Sequence, residues 1–324
     1  MIDIISEIGD SKRIAIMGHM RPDGDCVGAC LGLKLYLDNA LKDAKVTVFL
    51  EKPSETFSYI KNYGNIDSDY DCKEAPDVCF SLDSSTPDRL GEGLLIFKSA
   101  KKTICIDHHI SNRGFAMINH IEPEASSTCE LLALMFEDRY MDKEVAKALF
   151  TGIMHDSGVF QYSCMSRRSF EVVGRLCDYD FDRSRIIDES FYQKSYVQNQ
   201  ILGRTLLESI LFMDGKCIAG SVDRKTMDFY NITYKDLDGI VNQLRVTRGV
   251  EVAIFMYEIH SLEYKVSMRS NGKVDVARIA TLFGGGGHVR AAGCTMNGTI
   301  YDVLNNLSLH IEEQLKAIED ADDR

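Results

Sequence analysis

His19, Asp23 and Asp25 stand in the stretch IMGHMRPDGDCVGA, residues 16–29, where an apolar run ends at Gly18. An imidazole and two carboxylates so close together are either the polar dressing of a turn or part of a metal site. Asp-Gly-Asp on its own is most often a surface turn. The same residue types recur elsewhere, however. Asp83 follows DVCFSL, Asp107, His108 and His109 follow KTICI, and Asp156 lies in GIMHDSGVF. Carboxylates gathered in one place raise each other's pKa, and a divalent cation removes that cost. Mixed carboxylate and imidazole donors suit Mn, Fe or Co and, less exclusively, Zn. Two such ions about 3.5–4 Å apart share a water and turn it into a hydroxide nucleophile near neutral pH.

What could bring these residues together is a set of short strands. Apolar, β-rich runs occur at RIAIMG (13–18), KVTVFL (45–50), DVCFSL (77–82) and KTICI (102–106). Helix-like segments separate several of them, at 26–41 and from Pro87 to Ala100, and others follow at 127–140 and 142–156. Ser127 or Thr128 can cap the helix over 127–140, with Glu130 in its first turn. Alternation of this kind predicts βα units and a mainly parallel sheet flanked by helices, an α/β fold. In such sheets ligands bind at the carboxyl ends of the strands, which is where three of these runs deliver their acids and imidazoles. Asp156 would end a helix before a Ser-Gly turn.

From Arg167 to about Ser209 the pattern is helical and polar. Strand-like runs then return at 216–222, 251–259 and 264–270, followed by GGGGH (284–288), a helix from Tyr301 to about Ile318, and an acidic tail, EDADDR, expected to be frayed. The boundaries drawn are 1–185 for a catalytic domain, 186–209 for a helical connector and 210–324 for a smaller α/β domain, with the active-site cleft expected between the two domains.

The net charge is -12, with 45% hydrophobic and 27% charged residues over 324 positions. That composition is globular, and the charge argues against a broad basic track for long nucleic acid. Acidity concentrates in the first part: Lys and Arg number 23 against 32 Asp and Glu in residues 1–200, and 14 against 17 in 201–324. No apolar run approaches the length of a membrane span. The start, MIDIISEIGD, carries acids where a secretory signal would carry lysines. The expected location is the cytoplasm, with no membrane partner. The ten scattered cysteines include no C-x-x-C pair, so they read as reduced and mostly buried thiols rather than disulfides or a zinc knuckle.

GHMRPDGDCVGA, SLDSS, IDHHISN and GIMHDSGVF together resemble the four motifs of the DHH phosphoesterases, and VSMRS with FGGGGHVRAAG resembles the signature of the associated DHHA1 domain. The resemblance runs from Arg13 to Gly293 and is closest to the stand-alone branch of nanoRNase (oligoribonuclease)/pAp phosphatases and cyclic-di-AMP or linear dinucleotide phosphodiesterases. It implies two divalent ions, usually Mn2+. His19, Asp23 and Asp83 would hold one; Asp25, Asp83, His108 and Asp156 the other, with Asp83 bridging. Asp107 would orient a ligand histidine or its loop, and His109 would stabilise charge on the scissile phosphate or act as an acid. The DHHA1 domain would supply Arg269, Ser270, Gly285, Gly286 and His288 to the substrate. Asn112 and Arg113 lie beside the DHH motif and within reach of substrate. His155 is left as a structural neighbour of Asp156.

The implied reaction is hydrolysis of short oligoribonucleotides or linear dinucleotides to mononucleotides, and of pAp to AMP. The alternative within the same branch is a cyclic-di-AMP phosphodiesterase. A DHH pyrophosphatase is disfavoured because its second domain carries a different, lysine-rich signature. A RecJ-type exonuclease is disfavoured because it is longer and carries a nucleic-acid-binding module. A non-catalytic nucleotide sensor would be expected to have lost a ligand, and every ligand position here is filled. The sequence is compatible with a homodimer but does not fix the oligomeric state, the direction of cleavage or the base preference.

Overall fold

The computed structural model describes residues 2–162 and 164–322. The chain divides into two compact units, Met1–Gln193 and Lys194–Arg324.

The first unit is built on five parallel strands: β1 (Arg13–Met17), β2 (Lys45–Phe49), β3 (Val78–Leu82), β4 (Lys102–Asp107) and β5 (Ile118–Ile121), in the order β2-β1-β3-β4-β5. Its helices are α1 (Ile4–Ile8), α2 (Gly24–Ala40), α3 (Gly93–Ser99), α4 (Thr128–Met135), α5 (Lys143–Asp156), α6 (Arg167–Cys177) and α7 (Arg183–Ile187). Alternation along each strand feeds both faces of the sheet. Ile14 and Ile16 of β1 join α2, α4 and α5 in the large core, while Ala15 and Met17 face Phe97 of α3 and Leu90 on the other side. The expected mainly parallel sheet flanked by helices is therefore present. Nearly every residue of α2 from Gly24 to Leu37 is buried, as befits a helix apolar on all sides. Gly28 lets it approach α5 closely, because a Cβ there would lie 2.6 Å from the carbonyl oxygen of Ala148.

Several element boundaries differ from expectation. The helix expected over Pro87–Ala100 is split into a 3-10 turn, Pro87–Leu90, and α3; Gly91 between them has φ +54°. The one over 127–140 stops at Met135, because Phe136 is extended, and resumes only as a 3-10 turn at Asp138–Tyr140. Of the helical stretch after Arg167, α6 and α7 pack on the first core through Val172, Leu176 and Ile186, and a π-helical turn follows at Asp188–Tyr192.

The second unit opens with α8 (Tyr196–Leu207) and contains β6 (Ile210–Phe212), β7 (Cys217–Val222), α9 (Arg224–Tyr230), α10 (Ile240–Arg245), β8 (Val252–His260), β9 (Glu263–Ser270), α11 (Val276–Leu282), β10 (Gly286–His288), β11 (Ala291–Asn297) and α12 (Ile300–Asp322). The sheet order is β10-β11-β9-β8-β7-β6; β7 and β8 are parallel and the other pairs antiparallel. α8, α9 and α10 cover one face, and α11 and α12 the other. GGGGH ends in the edge strand β10, where Gly287 pairs with Ala292. The tail expected to be frayed is helical as far as Asp322, and residues 323–324 lie outside the described residues. Among the described residues no helix is long and apolar enough to cross a membrane.

Candidate metal centre

With the order β2-β1-β3-β4-β5, the chain's direction of winding reverses between β1 and β3, and in sheets of this kind the strand ends at such a reversal are where ligands bind. His19 follows β1, Asp83 follows β3, and Asp107–His109 end the adjacent β4. Asp83 has a left-handed backbone, φ +53°, a conformation that Asp tolerates better than most residues and that recurs at functional sites.

Asp23 caps α2 by accepting the N–H groups of Asp25 and Cys26, both at 3.1 Å. This cap starts the helix at Gly24 and sends the two carboxylates different ways. Asp23 stays exposed. Asp25 is 1% exposed and lies against the N-terminus of α4, accepting the N–H of Thr128 at 2.7 Å and of Cys129 at 3.0 Å. A helix N-terminus is a favourable seat for a carboxylate. A buried network steadies that end of α4. Glu130, 0% exposed, accepts the Ser126 N–H and hydroxyl, the Ser169 hydroxyl and Arg168 Nε.

The remaining donors converge on Asp83. His19 Nε2 lies 3.6 Å from Asp23 Oδ2 and 3.5 Å from Asp83 Oδ2. His108 Nε2 is 3.2 Å from Asp156 Oδ2 and 3.6 Å from Asp83 Oδ1. Three sets of donors each fall within 4.8 Å of one another: His19, Cys26 and Asp83; Asp83, His108 and His109; and Asp25, His108 and Asp156. Asp83 and His108 each belong to two sets. The sequence reading missed Cys26; only its place on α2 beneath Gly18 brings the thiol to His19.

Asp107 is fully buried and divides its oxygens: Oδ1 takes His109 Nδ1 at 2.7 Å and Oδ2 takes the Asn112 amide at 2.7 Å. Asn112 also donates to the Ser84 carbonyl, so it ties the β4 loop to the β3 loop and is itself buried. Arg113 is exposed.

The electrostatics of the cluster are those of an uncompensated set of acids. Burial, together with Asp83 and Asp156, pushes the Asp25 carboxyl well above the usual range. Burial and the neighbouring Asp83 and Asp23 push Asp156 up to about 7, against the pull of His108. Burial opposes charge on the imidazoles, but their surroundings overcome it. Cys26, Asp23 and Asp83 take His19 up to about 12, and Asp156, Asp25 and Asp83 take His108 up to about 9. Protons occupy the places that a cation would otherwise fill.

His155 does not join the cluster. Burial pushes its imidazole down to about 4, Nε2 is 3.0 Å from the Ser190 hydroxyl, and its ring lies against Gly24. A Cβ at Gly24 would come within 2.3 Å of His155 Cγ. Gly24→Ala is expected to cost about 1–3 kcal/mol of stability, seen as a lower melting temperature. His155→Ala in the same chain should relieve most of that loss; fully additive losses in a double-mutant cycle would refute the contact.

In the second unit Arg269, on β9, donates from Nε to Asn242 Oδ1 at 3.1 Å and from Nη1 to the Met268 carbonyl at 3.0 Å. His288 is exposed on β10, and β10 pairs on one side only. Gly285 precedes it, and a Cβ there would strike the Gly293 carbonyl oxygen at 2.2 Å. Gly286 is exposed. Ser270 is buried, and its hydroxyl donates to Glu251 Oε1 at 3.0 Å. That same oxygen accepts the N–H groups of Gly272, Lys273 and Val274, so Ser270 helps to fix the turn after β9.

A model of the DHH family, N-terminal domain, matches residues 13–153, and a model of the DHHA1 domain matches residues 215–320. The chain belongs to the DHH–DHHA1 family. This DHH–DHHA1 protein is 26% identical over 296 residues to the Bifunctional oligoribonuclease and PAP phosphatase NrnA of Thermus thermophilus, a match covering 89% of this chain and 86% of that one. It is also 26% identical over 317 residues to the Probable bifunctional oligoribonuclease and PAP phosphatase NrnA of Streptococcus mutans, covering 94% and 97%. Among solved structures, an exopolyphosphatase-related protein from Bacteroides fragilis has a TM-score of 0.88 at 26% identity, over 96% of this chain and 94% of that one.

Proposed function

We propose that this protein is a nanoRNase-like phosphoesterase. It hydrolyses short oligoribonucleotides and linear dinucleotides to mononucleotides, and pAp to AMP, using two divalent ions, most suitably Mn2+. The observation that carries this reading is the convergence of His19, Asp23, Asp25, Asp83, His108 and Asp156 at the switch point of the sheet, with Asp83 shared between donor sets. The names of the two relatives support the substrate class.

The residues fit such ions. The set is rich in carboxylate and imidazole, as manganese prefers, and its raised acid pKa values mark a site short of positive charge. His19, Asp23 and Asp83 would hold one ion, and Asp25, Asp83, His108 and Asp156 the other. Bound there, the ions would supply a hydroxide at neutral pH and offset charge on the phosphate. The chain's own groups do the rest. The Thr128 and Cys129 N–H groups keep Asp25 aimed into the cluster. Asp107 holds the His109 Nδ1 proton and raises the pKa of that ring against the effect of burial. His109 Nε2 is then a proton donor for charge that develops on the phosphate or its leaving oxygen.

Arg269, Gly285, Gly286 and His288 of the DHHA1 domain are the proposed contacts for the rest of the nucleotide, with Ser270 holding the turn behind Arg269. Anchoring a terminus, rather than a track, accommodates an acidic protein to RNA. All ten cysteines are free, which supports the cytoplasm as its compartment.

The test is a comparison of initial rates with manganese on pApA, pAp, cyclic-di-AMP, polyphosphate and a long single-stranded RNA. Fastest turnover of pApA, with pAp also hydrolysed, is the expected result. A preference for the long RNA or for polyphosphate would overturn the substrate assignment, and a preference for cyclic-di-AMP would select the alternative within the branch.

A further inference from the structure

Arg89 is the group beside the cluster to which the proposed chemistry gives no task. Most arginines of the first unit are matched by acids: Arg13 by Glu74 and Asp77, Arg139 by Glu137, Arg168 by Glu122 and Glu130, and Arg185 by Glu189. Arg89 forms no ion pair among the described residues, although a cluster rich in carboxylates lies next to it. Its Nη2 is 3.1 Å from His19 Nδ1 and 3.3 Å from the Met20 carbonyl oxygen, and its own carbonyl accepts the Met20 N–H at 2.7 Å. The side chain is otherwise exposed, and Nε and Nη1 have no protein partner among the described residues.

One proton arrangement satisfies all three groups at this point. His19 Nδ1–H, 2.9 Å away, and Arg89 Nη2–H both donate to the Met20 carbonyl. With an ion bound, the His19 Nε2 lone pair would be free to face it beside Asp23 and Asp83. The arrangement pins the guanidinium at the His19 edge of the cluster, with donors to spare. A guanidinium is charged at any working pH. Placed here without an acid partner, it is a built-in seat for an anion. Arg21 and Arg113 also lack ion pairs among the described residues, but neither is joined to a member of the cluster through a shared acceptor as Arg89 is to His19.

We propose that Arg89 donates to a non-bridging oxygen of the phosphate under attack and is a catalytic residue of this site. The proposal rests on the phosphoesterase reading above. The chemistry is that of charge stabilisation: as the phosphoryl group accumulates negative charge, a fixed guanidinium strengthens its hold. Because Arg89 touches His19, the phosphate within its reach is the one seated at the cluster. That phosphate is common to every substrate, whereas the proposed contacts of Arg269 and His288 are to parts that differ between substrates.

The test uses Arg89→Met, which keeps length and removes charge, with Arg89→Lys beside it. Three quantities are measured: kcat/KM on pApA, kcat/KM on pAp, and Mn2+ binding by calorimetry. We expect Arg89→Met to lower kcat/KM about 10²- to 10³-fold, by the same factor on both substrates. Mn2+ stoichiometry and affinity should stay unchanged, and Arg89→Lys should recover part of the rate. Full activity in Arg89→Met overturns the proposal. So does a loss confined to one substrate, which would move Arg89 to a remote phosphate. Weakened Mn2+ binding also overturns it, because Arg89 would then act by positioning His19. A wild-type protein inactive on every phosphate ester overturns the proposed function and this assignment with it; an active wild type with an unaffected Arg89→Met overturns this assignment alone.

Discussion

Asp83→Asn is expected to reduce kcat by ~10⁴-fold while leaving the fold in place. Asp83 is 2% exposed, lies 3.5 Å from His19 Nε2 and 3.6 Å from His108 Nε2, and belongs to two of the three donor sets. Asn keeps its shape, tolerates φ +53°, and still accepts the Thr128 hydroxyl, 3.2 Å from Oδ1. What it lacks is the charge that two ions would share. The metal dependence of the stability change separates this account from simple misfolding. Without metal, Asp83 repels Asp25 and Asp156 but attracts the charged imidazoles of His19 and His108, so Asp83→Asn should melt close to wild type in chelator. With manganese the wild type should melt clearly higher, because only it gains fully from binding. A variant that melts lower than wild type under both conditions would assign Asp83 to the architecture instead.

Acidification should strip the metal steeply. Ligand imidazoles and carboxylates must lose their protons to bind. In the metal-free protein Cys26 with Asp23 and Asp83 raises His19 to about 12, and the carboxylates raise His108 to about 9, in spite of burial, while burial, Asp83 and Asp23 raise Asp156 to about 7. Loading both ions at neutral pH therefore displaces two imidazole protons and a share of the one on Asp156. The apparent affinity for the pair should fall about a hundredfold for each unit of pH below 9, and more steeply below 7. Calorimetry in buffers of different protonation enthalpy counts the released protons directly; a count near zero would refute the assignment of these side chains as ligands. The metal-free fold shows the opposite side of the linkage. A folded-state pKa above the unfolded value gives stability that is complete below the unfolded pKa and is lost as pH rises through the folded one. His108 thus withdraws stability between about 6.5 and 9, and Asp156 between about 3.8 and 7. Below about 6.5 the buried His155, held down to about 4, offsets Asp156, so in chelator melting temperature should decline from neutral to alkaline pH; saturating manganese should flatten or invert that trend.

The first four strands and the ligands after them were legible because buried parallel strands are short unbroken apolar runs. RIAIM and KTICI carry polar residues only at their first positions, and VCFSL carries only Ser81. β5 was not legible. INHI is short, partly exposed and alternates weakly, and only its pairing with β4 makes it a strand. β6 and β10 fail for the same reason, as three-residue edge strands. β10 is also half glycine in character, and its order comes from β11 rather than from propensity. The orientation of Ser270 was not legible, because a serine next to a candidate arginine gives no sign of which way it faces; the register of β9 turns it inward toward Glu251. Arg89 carried no local signal either, and Glu130 only its place in the first turn of a helix. Each matters through a partner distant in sequence: the Arg168–Glu130 link spans 38 positions and the Arg89–His19 link spans 70.

Helix α5 packs on α2 through the contact at Gly28, and it alone brings Asp156 to the acids carried by α2. On a ribosome, His19, Asp23 and Asp25 emerge early and wait through more than a hundred further positions for Asp156. Until then the nascent chain offers an open, partial chelate that any abundant cation can visit and leave. The complete candidate donor set exists only after α5 has docked on α2. Any ion held by this set would therefore be chosen after synthesis of the first domain, by the free metal concentrations that the finished fold meets.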